Sequence, residues 1–286
     1  MSKKKVMGDC IFCGHHRQMT KEDVLPIWLG KLLKSIYPNP RAWTTVKDVP
    51  GSDGELERRA ARSAGPTEYK LKRVCQEECN GGWMRDIENA TIPILSPLVR
   101  GDVPGTITPD QAEVIATWMT LKVLTFDLLS RPVFGPEEAK EFFDEKRPPP
   151  LFQTWIAKSL QTDFTGEVHP FVQWNIAMYP PPDADPTGAK PAKPHARSLT
   201  LLINELVIQS VLVRKSFRSQ QSLLNERHMP LQAPQIWPNL GPVEWPPPVL
   251  ITKRGLHTFA TGQADVGFLT TKNPPPPPPR RNKPPN

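Results

Sequence analysis

The sequence predicts an α+β protein with a zinc-binding module at the N terminus, a helical middle segment and a small C-terminal antiparallel β region. Three observations support this order. All four cysteines fall in two close pairs before residue 80, apolar residues recur at helical spacing after residue 108, and apolar residues alternate with polar ones between 171 and 213. A chain of 286 residues is long enough for one large domain or two small ones.

The cysteine pairs are Cys10-Ile-Phe-Cys13 and Cys75-Gln-Glu-Glu-Cys79, and each runs directly into a polar, glycine-containing turn. Four thiolates fill the tetrahedral shell of a structural zinc ion, and both spacings fall within the range seen in such sites. The alternatives are disulfides or unrelated thiols. We favour Zn²⁺ because the chain resembles an intracellular protein, in which thiols stay reduced. A closed four-cysteine site is structural, so it does not reveal the function.

Composition narrows the classes of partner and location. A net charge of +7 favours a polyanionic partner, most simply a nucleic acid. The sequence contains no apolar run of 18 residues, so no membrane span is predicted. The basic start is not followed by the apolar stretch of a signal peptide, and we therefore expect a cytoplasmic protein. The 36 prolines exceed the usual share of about 5%, which predicts many loops and short elements.

The zinc module is predicted to span residues 7–96, after a disordered basic tail at 1–6. A short helix is expected to start near Pro26, because the following apolar residues have helical spacing. Residues 38–66 are rich in Gly, Pro, Asp and Arg, which predicts a solvent-exposed insertion between the two cysteine pairs.

The second cysteine pair lies between a predicted strand and a predicted helix. Residues 67–74 alternate between polar and apolar side chains, as strands do. Residues 83–90 have a helical pattern, and we expect Pro93 to stop that helix.

The segment 97–147 is predicted to be helical. Thr108 and Gln111 form a capping-box pattern around Pro109, and an apolar face follows as far as about Leu129. A second short helix is expected at 137–146.

The remainder, 148–271, is predicted to be mostly β. Strands are expected at 171–178, 199–203 and 206–213, and the last two are joined by Asn204-Glu205 as a hairpin. A short helix is predicted at 254–261. Residues 272–286 contain six consecutive prolines and several basic residues, which predicts a disordered tail with a possible role in binding a proline-reading protein partner.

Two adjacent carboxylates, Glu22 and Asp23, follow the first cysteine pair, and Asn80 directly follows the last cysteine. If one zinc ion gathers all four cysteines, Asn80 comes close to the segment that carries Glu22. Carboxylate and amide oxygens are ligands suited to Mg²⁺ or Mn²⁺. The sequence therefore predicts a second, open metal position beside the zinc. Glu88 could add to that shell, although a solvated helix position is the simpler interpretation.

Three stretches, Cys10–Gly14, Glu22–Leu29 and Cys75–Met84, resemble the HNH endonucleases with a ββα-metal core, particularly a branch found in bacteria and phages. Weaker similarity continues in Asp86–Glu88, in the helix near Trp118, and in Ile236–Pro238 and Trp245–Pro247. The resemblance implies a metal-dependent hydrolase that cuts phosphodiester bonds in DNA. It implies that Glu22 and Asn80 hold the catalytic Mg²⁺ or Mn²⁺, next to a structural Zn²⁺.

The family's catalytic histidine is replaced by Asp23 in this chain. Histidine titrates near 6.5 and aspartate near 3.9, roughly, so aspartate is the poorer general base at neutral pH. The loss of a matched base costs on the order of 10²–10⁴ in rate. Asp23 could join Glu22 as a metal ligand, or His15 or His16 could supply the base. The alternative is a catalytically inactive, zinc-stabilised nucleic-acid-binding or interaction protein on the same fold.

Basic residues flank the predicted site, but acidic residues are interspersed with them. We expect contacts with phosphates and only weak or shape-based selectivity, because no base-reading helix is evident. The sequence does not indicate an oligomeric state, nor does it distinguish DNA from RNA. The basic residues are Arg17, Lys21, Lys31, Lys34, Arg58, Arg59, Arg62, Lys70, Lys72, Arg73 and Arg85.

Overall fold

The computed structural model describes residues 6–36, 43–50, 56–63, 70–101, 105–129, 133–150, 152–159, 171–179, 193–215, 233–238, 241–247 and 250–251. These residues form the predicted α+β arrangement, with strands and a helix first, then a helical middle, then a β region. Residues 1–5 of the predicted N-terminal tail, the predicted tail at 272–286 and the predicted helix at 254–261 lie outside the described residues. No helix in the described ranges has the length and apolar content that crossing a membrane requires.

A small antiparallel sheet opens the chain. Its strand order is β1-β2-β5, where β1 is Met7–Asp9, β2 is His16–Asp23 and β5 is Lys70–Cys75. Helix α1, Ile27–Ile36, follows β2 and buries Leu29, Leu32 and Leu33, as the apolar spacing predicted. Strand β2 follows the first cysteine pair, and β5 leads into the second pair. Because β2 and β5 are neighbours in the sheet, the two cysteine pairs are brought to the same part of the molecule.

The chain after β5 forms a π-helical segment, Gln76–Trp83, and then helix α2, Met84–Arg100. The prediction that Pro93 stops this helix is wrong, because α2 continues through both Pro93 and Pro97. Both prolines are exposed, whereas the opposite side of the helix is buried and packs on the next helix. Tertiary packing of that buried face outweighs the hydrogen bonds that proline removes. The helix ends at Gly101, whose φ is +78°.

Helix α3, Pro109–Leu129, is the central helix of the protein. The predicted capping box is confirmed: Thr108 N–H donates to Gln111 Oε1 at 3.0 Å, and Gln111 N–H donates to Thr108 Oγ1 at 3.3 Å. Every residue of α3 from Ile115 to Asp127 is buried. The other predicted helix, α4, runs from Pro136 to Glu145.

A large sheet has eight strands in the order β11-β7-β10-β9-β8-β3-β4, with β13 also paired to β7, and six of these strands come from the C-terminal region. The predicted hairpin is confirmed, because β9 and β10 are joined at Asn204, whose φ is +56°. Two further short strands, β6 and β12, pair with each other. The bounds are β3 Trp43–Pro50, β4 Leu56–Ser63, β6 Gly105–Ile107, β7 Gln153–Ser159, β8 Phe171–Tyr179, β9 Lys193–Ile203, β10 Leu206–Val213, β11 Gln235–Trp237, β12 Val243–Trp245 and β13 Leu250–Ile251.

The predicted insertion at 38–66 contributes strands β3 and β4 to this large sheet. Strand β3 lies parallel to β8, with Thr44 opposite Phe171, and antiparallel to β4. Strand formation by polar, turn-rich segments depends on the partner that they meet in the folded protein. The composition of 38–66 gave no indication of that distant partner.

One continuous core connects the two sheets. It extends from Cys10 in the first turn to Trp245 in β12, and α3 contacts α2 as well as strands of the large sheet. Asp127 of α3 forms an ion pair with Arg197 of β9, and neither side chain is exposed to solvent. Burial raises the pKa of the Asp127 carboxyl, and the nearby Arg197 guanidinium opposes that rise.

Candidate metal centre and adjoining cleft

The first cysteine pair lies in a tight turn between β1 and β2. Gly14 N–H donates to Cys10 O at 2.9 Å, and Cys10 N–H donates to His15 O at 3.0 Å. Gly14 has a φ of +76°, a conformation that glycine adopts at no steric cost. This turn points the backbone back on itself and buries both Cys10 and Cys13.

The second pair contributes Cys79 from the π-helical segment. The sulfur atoms of Cys10 and Cys79 are 3.5 Å apart, and those of Cys10, Cys13 and Cys79 all lie within 4.8 Å of one another. These three thiols are buried and free of disulfides. Zinc–sulfur bonds of about 2.3 Å in a tetrahedron place the sulfur atoms about 3.8 Å apart. The three residues can therefore hold a metal ion, and their spacing fits tetrahedral thiolate coordination.

Cys75, the fourth predicted ligand, is the last residue of β5 and lies opposite Met19 of β2. Cys75 directly precedes the π-helical segment that carries Cys79. The Cys75 side chain lies outside the described part of the chain, and its role as fourth ligand stays a prediction.

His15 and His16 are each paired with an acidic side chain close to the thiols. His15 Nδ1 lies 2.8 Å from Glu78 Oε2, and His16 Nδ1 lies 2.8 Å from Asp9 Oδ1. The hydrogen bond with His15 holds the pKa of the Glu78 carboxyl below its ordinary value. His15, Glu78 and Cys13 also lie within 4.8 Å of one another, which makes this group a second possible set of metal ligands.

A cleft of about 270 Å³ lies at the other end of β2. Glu22 and Asp23 enter it from the end of that strand, and Asn80 enters it from the π-helical segment. The structure thus brings together Glu22, Asp23 and Asn80, which are three of the residues with a predicted metal or catalytic role. The complete lining consists of Lys21, Glu22, Asp23, Pro26, Ile27, Trp28, Asn80, Gly81, Arg85 and Glu88.

Adjacent residues of a regular strand point to opposite faces, yet Glu22 and Asp23 both line the cleft. The pairing of β2 with β5 shifts register between Thr20 and Glu22. Such bulges redirect side chains and are frequent beside functional sites. Glu22 is only 6% exposed, so its carboxylate lies at the base of the cleft rather than at the rim.

The cleft lining supplies oxygen atoms of the kind that hard divalent cations bind. Glu22, Asp23 and Glu88 supply carboxylate oxygens, and Asn80 supplies an amide oxygen. Within the described residues, three His, Cys, Asp or Glu ligands approach one another to within 4.8 Å only around the thiols. Glu22, Asp23 and Glu88 do not form such a group, so a metal site among these carboxylates stays a prediction.

His15 and His16 are absent from the described lining of this cleft. His16 begins β2 and Glu22 lies six residues further along it. At a strand rise of about 3.3 Å per residue, the two are roughly 20 Å apart. Of the predicted basic residues, Lys21 and Arg85 line the cleft.

Sequence reasoning missed Lys122, which lies behind the cleft on α3. Its ammonium nitrogen is 2.6 Å from Glu88 Oε1, and the Lys122 side chain is 0% exposed. Glu88 is 20% exposed at its side chain, so the solvated position predicted for it is only partly correct. A lysine in the middle of an apolar helical stretch was the available signal, since such a charge requires a partner.

Comparisons of the chain with protein families, with curated proteins and with solved structures found no match.

Proposed function

We propose that this protein is a metal-dependent endonuclease of the HNH type, which hydrolyses phosphodiester bonds in DNA. The observation that carries the proposal is the cleft shared by Glu22, Asp23 and Asn80 beside the thiol cluster. The short segment that supplies Cys79 to the thiols supplies Asn80 to the cleft. A metal ion at the thiols would therefore fix one wall of the cleft.

Structural Zn²⁺ is the proposed occupant of the thiol cluster, with Cys10, Cys13, Cys75 and Cys79 as ligands. The sulfur distances and the burial of three of these thiols support it. Trp83 is the last residue of the π-helical segment that carries Cys79, and it makes an edge-to-face contact with Phe12, at 5.5 Å between ring centroids. Phe12 lies between the two cysteines of the first pair, so the aromatic contact and the thiols connect the same two segments.

The charges around the cleft suit a phosphodiester substrate. Lys21 and Arg85 are exposed and line the same cleft as the carboxylates, so they can pair with phosphate oxygens while Glu22 and Asn80 hold a cation. A divalent ion bound there would stabilise the negative charge that develops on phosphate during hydrolysis. The resulting contacts are with the backbone of the nucleic acid, which predicts little sequence preference.

Asp23 is the proposed proton acceptor for the attacking water. In that step the water oxygen forms a bond to phosphorus and gives a proton to the Asp23 carboxylate. The bond to the leaving sugar oxygen breaks, and that oxygen takes a proton from solvent water. Aspartate is a weak base, so we expect turnover well below that of an enzyme with histidine at this position.

A binding-only role is the second candidate. It is favoured by the positions of His15 and His16, which pair with Glu78 and Asp9 instead of lining the cleft. In that case the cleft and its basic rim would hold nucleic acid without cutting it.

Plasmid nicking separates the two roles. The zinc-loaded protein is incubated with supercoiled plasmid and Mn²⁺, Mg²⁺ or EDTA, beside the variants Glu22→Gln, Asn80→Ala and Asp23→His. Glu137→Gln, an exposed carboxylate on α4, is the matched control. We expect metal-dependent nicking by the native protein and the control, loss of nicking in Glu22→Gln and Asn80→Ala, and a rise of at least tenfold in Asp23→His.

Nicking that survives EDTA or Glu22→Gln would contradict the nuclease proposal. A native protein that retains plasmid without cutting it, together with activity in Asp23→His alone, would establish the binding-only role instead.

A further inference from the structure

The side chain of Lys122 is enclosed by protein and contacts the cleft lining through Glu88. The two residues belong to different helices, α3 and α2, and their hydrogen bond measures 2.6 Å. A buried ammonium ion without a partner is strongly destabilising, so this pair must persist in the folded protein. Lys122 consequently restricts the rotamers of Glu88.

Aromatic rings restrict Lys122 in turn. Its ammonium nitrogen lies 5.8 Å from the centroid of the Trp118 ring, a cation–π distance. Trp118 contacts Trp28, with the ring centroids 6.3 Å apart, and Trp28 lines the cleft. Trp28 and Glu88 are therefore two parts of the cleft wall that both rest on one turn of α3.

Stability alone does not account for a charged pair at this place. Replacing a buried ion pair with apolar residues is often neutral or stabilising. This pair also differs from the buried Asp127–Arg197 pair, in which neither side chain is exposed. Here the carboxylate is partly exposed and opens onto the cleft, and Lys122 contacts only one of its two oxygens, Oε1.

We propose that Lys122 is a positioning residue, which orients the carboxylate of Glu88 toward the divalent ion of the cleft. The inference rests on the proposed function, since it requires a cation at Glu22 and Asn80. It also assigns a role to α3, which lies outside the segments of the chain that line the cleft. Partners that orient a metal ligand typically change metal affinity by about 10–100-fold when they are removed.

The test measures Mn²⁺ binding to the zinc-loaded, full-length protein, from the electron paramagnetic resonance signal of free Mn²⁺. Lys122→Met removes both the charge and the hydrogen bond, whereas Lys122→Gln removes the charge and keeps an N–H donor. Glu88→Gln and the double variant Lys122→Met with Glu88→Gln complete a cycle. Lys140→Met is the control, because Lys140 is an exposed lysine paired with Asp144 on α4.

We expect Lys122→Met and Glu88→Gln each to weaken Mn²⁺ binding about 10–100-fold, and the double variant to be no weaker than either. Lys122→Gln should bind within a few-fold of the native protein, and the control should be unchanged. If Lys122→Met fails to fold, the double variant, which leaves no charge buried, is compared with Glu88→Gln and Lys122→Gln.

Unchanged Mn²⁺ affinity in folded Lys122→Met, or losses that add in the double variant, would overturn the positioning role. So would a Lys122→Gln variant as weak as Glu88→Gln. A Glu22→Gln measurement distinguishes failure of the proposed function from failure of this inference. Mn²⁺ binding that is unchanged in Glu22→Gln refutes both. Mn²⁺ binding that depends on Glu22 but not on Lys122 refutes only the inference.

Discussion

The small sheet at the N terminus and the large sheet at the C terminus are stabilised by different means. The small sheet has three strands, and the residues beside it include three buried thiols. The large sheet has eight strands, and all eight residues of its strand β10 are buried. Apolar burial is sufficient to order the large sheet. The small sheet has little surface to bury, and a metal ion at its thiols would supply the missing stability.

Each region contains a buried ion pair, and the two pairs differ in their access to solvent. In the large-sheet region, Asp127 and Arg197 face each other in a closed core and have no access to solvent. Beside the small sheet, Lys122 is equally buried, but its partner Glu88 reaches a cleft. An ion pair that only joins two elements can be fully buried. An ion pair whose carboxylate also binds a ligand must leave a carboxylate oxygen accessible. The following predictions test this contrast.

Metal removal should have the largest effect, and only on the N-terminal region. Cys79→Ser or a strong chelator should unfold that region, since structural zinc contributes on the order of 10 kcal/mol to such folds. The fluorescence of Trp28 and Trp83, which lie there, should change cooperatively with zinc loss. The far-ultraviolet dichroism of the large sheet should persist.

Cys13→Ser should reproduce that outcome, and zinc content by elemental analysis should fall in both variants. If both regions unfold together when zinc is removed, the large sheet also depends on the metal, and the proposed difference between the two regions is wrong.

Breaking the closed ion pair should have the next largest effect. Arg197→Met removes the cationic partner of the buried Asp127 carboxylate, which keeps the N–H donors of Val133 and Phe134. This loss should lower the free energy of unfolding by about 3–5 kcal/mol in urea titrations. Asp127→Leu combined with Arg197→Met should restore most of that loss, because no charge remains. The Mn²⁺ affinity of both variants should match that of the native protein. A double variant as unstable as Arg197→Met would contradict this account.

The hairpin residue Asn204 should have a moderate effect. Its φ of +56° is unfavourable for most side chains, and its amide donates a hydrogen bond to Val99 O at the end of α2. Asn204→Ala should cost about 1–3 kcal/mol through the unsatisfied buried carbonyl and the strained backbone. Asn204→Gly relieves the strain only, so it should lie between the native protein and Asn204→Ala in thermal unfolding. Equal losses in both variants would mean that strain contributes nothing.

The exposed pair of His15 and Glu78 should have the smallest effect. Because the folded-state pKa of Glu78 is lowered, its stabilising contribution is present above the ordinary value of 4.5 and is lost as the pH falls below that value. Glu78→Gln should therefore reduce stability slightly at pH 6 and leave it unchanged at acid pH, relative to the native protein. The control is Glu77→Gln at the neighbouring exposed position. A difference that grows on acidification would reverse the assigned sign.

Local signals allowed much of this fold to be predicted. The capping box at Thr108 and Gln111 and the hairpin at Asn204 depend on residues a few positions apart, and the structure contains both. The predicted helix at α2 was shorter than the observed one. It continues beyond Pro93 because it packs on α3, which is distant in sequence. The strands at 43–63 were missed for the same reason, since β3 pairs with a segment more than 120 residues later.

The candidate site divides in the same way. Asn80 was accessible to prediction because it directly follows Cys79, and Glu22 and Asp23 because they end the strand that follows the first cysteine pair. Lys122 was not, because it reaches Glu88 across 34 positions of the chain. Its importance depends on how α2 and α3 pack, which no short pattern of residues encodes.

The placement of β3 and β4 has a consequence for synthesis on the ribosome. Both strands lie between the two cysteine pairs, and β3 pairs with β8, which begins at Phe171. All four thiols have been made by residue 79, roughly a hundred residues before that partner emerges. The nascent chain can therefore bind its metal early. Until β8 is synthesised, the hairpin of β3 and β4 has one edge without a partner strand. An exposed strand edge favours pairing between chains. Fragments cut near residue 100 would keep that open edge permanently, and we expect them to aggregate.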